Sequence, residues 1–377
     1  MALRILHLHS SFDAGGKELR AVKLINAFGK ALEHTIVSAQ PEAMSALAGV
    51  ERAIAVHPAR DFPSLQGRPL PGRLHGLARA MKGYDLILTY NWGAMDAVMA
   101  HTVFRNHYAL APLVHHEDGF NQDEIDSLKR SRNFFRRIAL GRSSALIVPS
   151  RKLEAIALGA WQQPVGKVRR IANGIDTAAY THKPRPDALP RIIKRDGEKW
   201  LGTLAGLRPV KNLPRLVRAF AGLREEWQLV ILGEGPEREA IRAEALRLEV
   251  AHRVHLPGFL SDPATAIGLF DLFALSSDSE QFPVSVVEAM AAGLAVVSPD
   301  VGDVAEMVSE ENREYISRPR DEADFAGKLA ALGADDAGRK LIGEANRKRA
   351  VAEYDVNTMV SAYRAVYAQA MRKPDFP

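Results

Sequence analysis

Short unbroken apolar runs alternate along the chain with stretches whose apolar residues return every three or four positions. "LRILHLHSS", "HTIVSA", "YDLILTY", "APLVHH", "SALIVPS" and "VRRIANG" are the runs of the first half. Unbroken runs of this kind predict strands covered on both faces. The stretches between them, such as 17–32 and 122–140, carry the helical period. Strand and helix in alternation predict a parallel, doubly wound sheet.

The segment "THKPRPDALPRIIKRDGEK" breaks the pattern with three prolines, a glycine and many charges. It reads as a linker. Alternation then resumes with "KWLGTLAG", "WQLVILG", "RVHLPG", "DLFALSS" and "LAVVSPD". The expected organisation is therefore an α/β domain over 1–180, a linker over 181–199 and a second α/β domain over 200–355. A last helix within 356–377 has one apolar face and is expected to pack back on the first domain.

A chain of 377 residues suits two such domains. Cysteine is absent, which excludes disulfides and thiolate chemistry. No apolar run reaches the length of a membrane span, and the histidine-rich start does not resemble a signal peptide. The expected location is cytoplasmic. Positions 1–190 hold 25 Lys+Arg against 16 Asp+Glu, a net +9. Positions 191–377 hold 25 against 29, a net −4. A basic first half favours an anionic partner.

Ligands of open α/β sheets bind beyond the C-terminal strand ends, against helix N-termini. The strand-to-helix turns are thus where chemistry is sought. Gly15 and Gly16 stand between the first strand and its helix, where amides without Cβ obstruction can approach an anion. An ordinary helix entry would look the same. Arg208 and Lys211 precede a helix in "GLRPVKNLPRLVRAF", and two cations beside a helix N-terminus suit a diphosphate. "LGEGPERE" adds a G-x-G that carries little information alone. In "SSDSEQFPVSVVEAMAAG", Pro283 opens a helix, with Glu280 in the loop before it and Glu288 inside it. Carboxylates there cannot welcome phosphate, but they accept hydrogen bonds from vicinal hydroxyls. Cations for phosphate and acids for diols together describe a nucleotide-sugar site.

The E-x7-E pattern of Glu280 and Glu288, followed by "AMAAGLAVVSPDVGDVAEMV", resembles the signature of the retaining family-4 glycosyltransferases of GT-B fold. The Gly15-Gly16 loop, "NGID" at Asn173–Asp176, "GLRPVKN", "LGEGPERE" and "VHLPGFLSD" occur in the family's order, over most of the chain. The resemblance implies an α/β GT-B fold of two doubly wound Rossmann-like domains with an interdomain cleft. It implies a hexosyltransferase that takes a UDP- or GDP-linked sugar to a glycan or lipid-linked acceptor in cell-surface polysaccharide or glycolipid assembly. The nucleotide sugar is then a co-substrate, and no metal or other cofactor is expected.

Residue by residue, it implies that Glu288 binds the ribose and that Glu280 lies at the sugar and its anomeric centre. Amides near Phe282 and Val284 touch sugar or phosphate. Arg208, Lys211 and the Gly16 amide hold the diphosphate, and the stretch from His255 to Leu260 borders the base. Relatives carry Glu-Gly-Phe where this chain has Glu280-Gln281-Phe282, which bears on sugar preference. They also place a histidine near the end of an N-terminal strand. In "LVHHEDG" either Asp118 or His116 takes that place, and one of His115 and His116 is expected in the core.

Two other readings stand beside this one. A nucleotide-sugar epimerase would act on the donor alone, and a non-catalytic nucleotide-sugar binder would release it unchanged. Nucleic acid is not expected, because aromatic residues are 7% of the chain and no stacking platform shows. The basic stretch Ser127–Ser144 has two expectations. It lies on an anionic membrane with Phe134 and Phe135 dipping in, or it packs Leu128, Phe134 and Ile138 into the domain with its arginines solvated.

Overall fold

A computed structural model describes residues 2–59, 61–120, 124 and 127–377. The chain divides into two compact units, one of Met1–Asn173 with Met359–Pro377 and one of Gly174–Thr358.

Unit 1 is built on a sheet of seven parallel strands in the order β3-β2-β1-β4-β5-β6-β7. They are β1 Leu3–His9, β2 Leu32–Ser38, β3 Ala55–Pro58, β4 Leu86–Tyr90, β5 Leu113–His116, β6 Ala145–Val148 and β7 Val168–Arg170. The central strands β4, β5 and β6 are buried along their whole length, as their unbroken apolar runs require. The chain reverses its direction of growth between β1 and β4, and this makes a crevice at their C-terminal ends. The final helix, Val356–Met371, contributes Tyr363 and Tyr367, both 1% exposed, to this unit.

Unit 2 repeats the plan with six parallel strands in the order β10-β9-β8-β11-β12-β13. They are β8 Lys199–Leu204, β9 Trp227–Leu232, β10 Val254–Gly258, β11 Leu272–Ala274, β12 Val296–Pro299 and β13 Ile316–Ser317. Here the reversal lies between β8 and β11. Leu201, Leu229, Ile231, Leu272 and Val297 bring the sheet into one apolar core with the helices Leu213–Phe220 and Glu322–Ala334.

Several expectations need correction. The segment 181–199 falls inside unit 2. Leu189 is 2% exposed, and Lys194 donates to the Asp271 carboxylate and the Leu269 carbonyl, each at 2.6 Å. These ties secure a segment whose composition reads as a linker. The division itself comes earlier, between Asn173 and Gly174. Strands β3 and β13 were not foreseen. β3 is a partly exposed edge strand, and β13 has two residues, so neither carries a long apolar run.

The helix expected over 122–140 runs as Arg130–Ala139, and residues 121–123, 125 and 126 lie outside the described set. Its apolar residues divide as neither alternative requires, for Phe134 is 63% exposed and Ile138 45%, whereas Phe135 packs against the core. Arg136 also turns inward, fully buried and paired with Glu117 and Glu124. Its guanidinium lies 4.8 Å from the Trp92 ring, 5.0 Å from that of Trp161 and 5.4 Å from that of Phe120. A planar, weakly hydrated cation is the charged group best suited to such a cage.

Candidate active site

The crevice of unit 2 gathers most of the motif residues. After β8 the chain turns through Gly206, Leu207 and Arg208 into a short 3-10 turn, Pro209–Lys211, and then the helix Leu213–Phe220. Asn212 joins the two with φ 42° and ψ 50°, a left-handed conformation that asparagine tolerates. Behind this loop stands the G-x-G of β9. A Cβ at Gly233 would lie 1.9 Å from the Ala205 carbonyl oxygen, and one at Gly235 would lie 2.4 Å from that of Leu207. Both glycines also have φ above 150°. Their role is to let the cationic loop lie close against its neighbour, which a spacing rule alone cannot show.

The loop after β11 meets the same place from the other side. The Asp278 amide donates to the Val210 carbonyl at 2.8 Å, and Ser276 Oγ donates to the Lys211 carbonyl at 2.9 Å. Lys211 Nζ donates to Glu280 Oε1 at 2.5 Å, and Ser277 Oγ donates to the same oxygen at 2.6 Å. The Lys211 and Glu280 side chains keep 15% and 12% exposure. Arg208 is exposed and, among the described residues, forms no ion pair. Glu288 sits on the second turn of the helix Val284–Ala291, where Tyr180 Oη donates to its Oε1 at 3.1 Å. Burial, and next the charge of Glu288, hold the Tyr180 phenol well above its ordinary range. Phe282 packs edge-on against Tyr354 at 5.7 Å, and Val284 is the first residue of the helix.

Gln281 takes the place where the resemblance implies a glycine, and its backbone needs no positive φ. The glycine demand falls instead on Gly302, at φ 60°, where a Cβ would approach the Gln281 carbonyl oxygen to 2.5 Å. Gln281 Oε1 is buried and, among the described residues, has no hydrogen-bond partner.

Two assignments are not met. His255 is the second residue of β10, and its Nε2 meets Gln228 Oε1, on the second residue of β9, at 2.9 Å. That is the N-terminal end of a parallel sheet, opposite the crevice, so the structure does not bring His255 to the site. Leu260, past the end of β10, lies on the crevice side of the sheet. His116 is 1% exposed, with Nδ1 at 3.1 Å from the Thr89 carbonyl oxygen and Nε2 at 2.9 Å from Tyr367 Oη. Burial pushes it down to about 3. His115 is buried as well, against Thr89 Oγ1 at 2.7 Å, so both histidines belong to the core.

Asp118 lies just beyond the end of β5 in unit 1. Its carboxylate is gripped by both terminal nitrogens of Arg20, and Arg20 also donates to Asn173 Oδ1 at 2.8 Å. Burial would raise Asp118, but the Arg20 charge and hydrogen bonds outweigh it and hold the carboxyl below its usual range. Gly15 caps the helix Gly16–Phe28 in an extended conformation, and a Cβ at Gly16 would meet open space. Lys17 and Glu18 pair on the first turn, and burial lowers Lys17 to about 8.

Sequence reasoning missed Arg20, Ser277 and Tyr180. Ser277 stands in the quoted motif. Arg20 follows Gly16 by four residues on the same helix face. Tyr180 is 108 positions from its partner and leaves no local signal.

Residues 14–179 match the family model described as Glycosyltransferase Family 4, and residues 185–349 match that of Glycosyl transferases group 1. The chain is 26% identical over 212 residues to the N-acetyl-alpha-D-glucosaminyl L-malate synthase of Bacillus anthracis, covering 56% of each chain. It thus spans little more than half of that relative's length. It is 26% identical to the D-inositol 3-phosphate glycosyltransferase of Xylanimonas cellulosilytica, covering 96% of this chain and 93% of the other. The crystal structure of Anabaena HepE in complex with UDP superposes with a TM-score of 0.79 at 20% identity, covering 97% of this chain and all of that one. Two consecutive family matches, and a fold shared end to end with that structure, make the chain a family-4 glycosyltransferase of GT-B fold.

Proposed function

We propose that the chain is a retaining hexosyltransferase that takes a UDP- or GDP-linked sugar and delivers it to a glycan or lipid-linked acceptor in cell-surface polysaccharide or glycolipid assembly. The observation that carries this reading is the meeting of Lys211, Glu280 and exposed Arg208 at the reversal point of the unit 2 sheet. In the resting state Glu280 compensates the Lys211 charge. An arriving diphosphate offers Lys211 a second anion, while the sugar hydroxyls offer Glu280 donors. Arg208 and Lys211 then stabilise the charge that grows on the departing nucleoside diphosphate, so no metal is required for that task. Glu288, held by Tyr180, accepts from the ribose hydroxyls. The acceptor hydroxyl attacks on the face from which the diphosphate leaves and gives its proton to a donor phosphate oxygen. HepE has been crystallised with UDP-glucose, which supports a nucleoside diphosphate sugar as the donor class.

Thermal-shift measurement against UDP, GDP and their hexose conjugates tests the reading. At about 100 times its dissociation constant a ligand adds about 2.7 kcal/mol, a readable shift. The expected result is a shift by one nucleotide series in the wild type and its loss in Lys211→Ala. A product carrying the donor sugar on an acceptor distinguishes transfer from epimerisation and from binding alone.

The exposed pair Phe134 and Ile138, one helical turn apart among exposed Arg130, Arg137 and Arg142, favours peripheral attachment to an anionic membrane at its cytoplasmic face. No helix among the described residues is long and apolar enough to cross a bilayer. Flotation with anionic liposomes at low salt tests the attachment, and a protein that stays in the pellet contradicts it.

A further inference from the structure

Beyond the C-terminal ends of β1, β2 and β4, unit 1 contains a cavity of about 500 Å³ that none of the donor residues lines. This is within the size range of small-molecule sites. Trp92 and Phe135 form an aromatic wall, their centroids 5.8 Å apart. Ser10, Gln40 and Ser131 supply hydroxyl and amide groups around it.

The charged groups of the wall are Asp96 and Arg132, and each is already compensated. Arg73 Nη1 donates to Asp96 Oδ2 at 2.5 Å, and Arg132 Nη1 donates to Glu124 Oε2 at 2.9 Å. A phosphate or carboxylate entering here would lose its water and find cations that carboxylates already hold. An acyl chain would leave the hydroxyls and amides without partners. A neutral sugar ring meets both demands. Its C–H faces pack on the aromatic wall, and its hydroxyls exchange hydrogen bonds with the serines and the glutamine.

We propose that this cavity seats a neutral sugar ring of the acceptor. The proposal rests on the transferase reading above and names the class of acceptor.

The protein carries its own probe. Of its four tryptophans, Trp161, Trp200 and Trp227 are at most 1% exposed, and Trp92 is the half-buried one in the cavity wall. Acrylamide quenching of intrinsic fluorescence therefore reports on this cavity without any turnover. The titrants are neutral methyl glycosides of glucose, galactose, mannose and N-acetylglucosamine, with their sugar phosphates and anionic vesicles as the opposing arms. The expected result is saturable protection by a neutral glycoside that is also glycosylated. Trp92→Ala then raises the KM for that glycoside by about 10-fold or more while the donor KM stays unchanged. Protection by sugar phosphates or vesicles alone, or by nothing in the panel, overturns the proposal, as does an unchanged acceptor KM in Trp92→Ala. Nucleotide-sugar thermal shifts measured on the same samples separate the two readings. Donor binding without glycoside protection removes this inference alone, and absence of donor binding removes the transferase assignment.

Discussion

Units 1 and 2 share a plan and use it differently. Each has a parallel sheet that reverses direction at its middle, with loops converging above the reversal. In unit 1 the ion pair at that place, Arg20 with Asp118, buries its cation, with Arg20 5% and Asp118 14% exposed. Beneath it His34, His7, Tyr90, Tyr367 and His116 form a buried chain of polar rings. In unit 2 the ion pair Lys211–Glu280 stays partly open, beside exposed Arg208. A buried guanidinium held by both Asp118 oxygens and by Asn173 fixes structure, whereas a lysine with an exposed arginine beside it can exchange partners with a ligand. Topology locates the crevice in both units, and the burial and partners of the cation distinguish a binding site from a structural knot.

The largest expected effect breaks the knot in unit 1. Arg20→Ala leaves the mostly buried Asp118 carboxylate, 14% exposed, without its partner and should cost about 3 kcal/mol of stability, read by denaturant unfolding. A variant as stable as the wild type would remove the structural role given to this pair.

Lys211→Ala in unit 2 should do the reverse. Turnover falls on the order of 10²–10³-fold, while the melting temperature changes little. Rapid transfer by this variant would mean that the diphosphate is held elsewhere.

Acid should separate the units next. Burial holds His34 and His101 at about 4 and His116 at about 3, all three in unit 1. Between these values and the ordinary histidine value of about 6.5, the unfolded chain binds more protons than the folded one. Their contribution is therefore complete above about pH 6.5 and is lost as pH falls toward 4 and then 3. Near-ultraviolet circular dichroism of Trp92 and Trp161 in unit 1, against single-tryptophan controls in unit 2, should show unit 1 loosening first. Simultaneous loss, or unit 2 loosening first, would contradict the contrast.

The smallest effect sharpens the site itself. Tyr180→Phe removes one hydrogen bond to Glu288, worth about 1 kcal/mol, and should raise the donor KM by a few-fold with kcat nearly intact. An unchanged KM would show that Tyr180 does not position Glu288.

The alternation of apolar runs made both sheets legible, because strands covered on both faces must be apolar throughout. The two missed strands, β3 and β13, lie at sheet edges or are too short for such a run. Lys211, Glu280 and Glu288 were legible because they flank helix starts, where local chemistry is constrained. His255 was misplaced because a motif does not tell which end of its strand a residue occupies. His116 was left open against Asp118 because partners such as Tyr367, 251 positions away, decide burial. Arg136 shows the same limit, since Trp92, Phe120 and Trp161 come together around it only in the folded unit.

A crystal structure with the nucleotide sugar that gives the largest thermal shift tests the central claim most directly. The account predicts its diphosphate on Arg208 and Lys211, its ribose hydroxyls on Glu288 and its hexose beside Glu280. A donor bound in any other place, with Lys211 and Glu280 still paired only to each other, would contradict it.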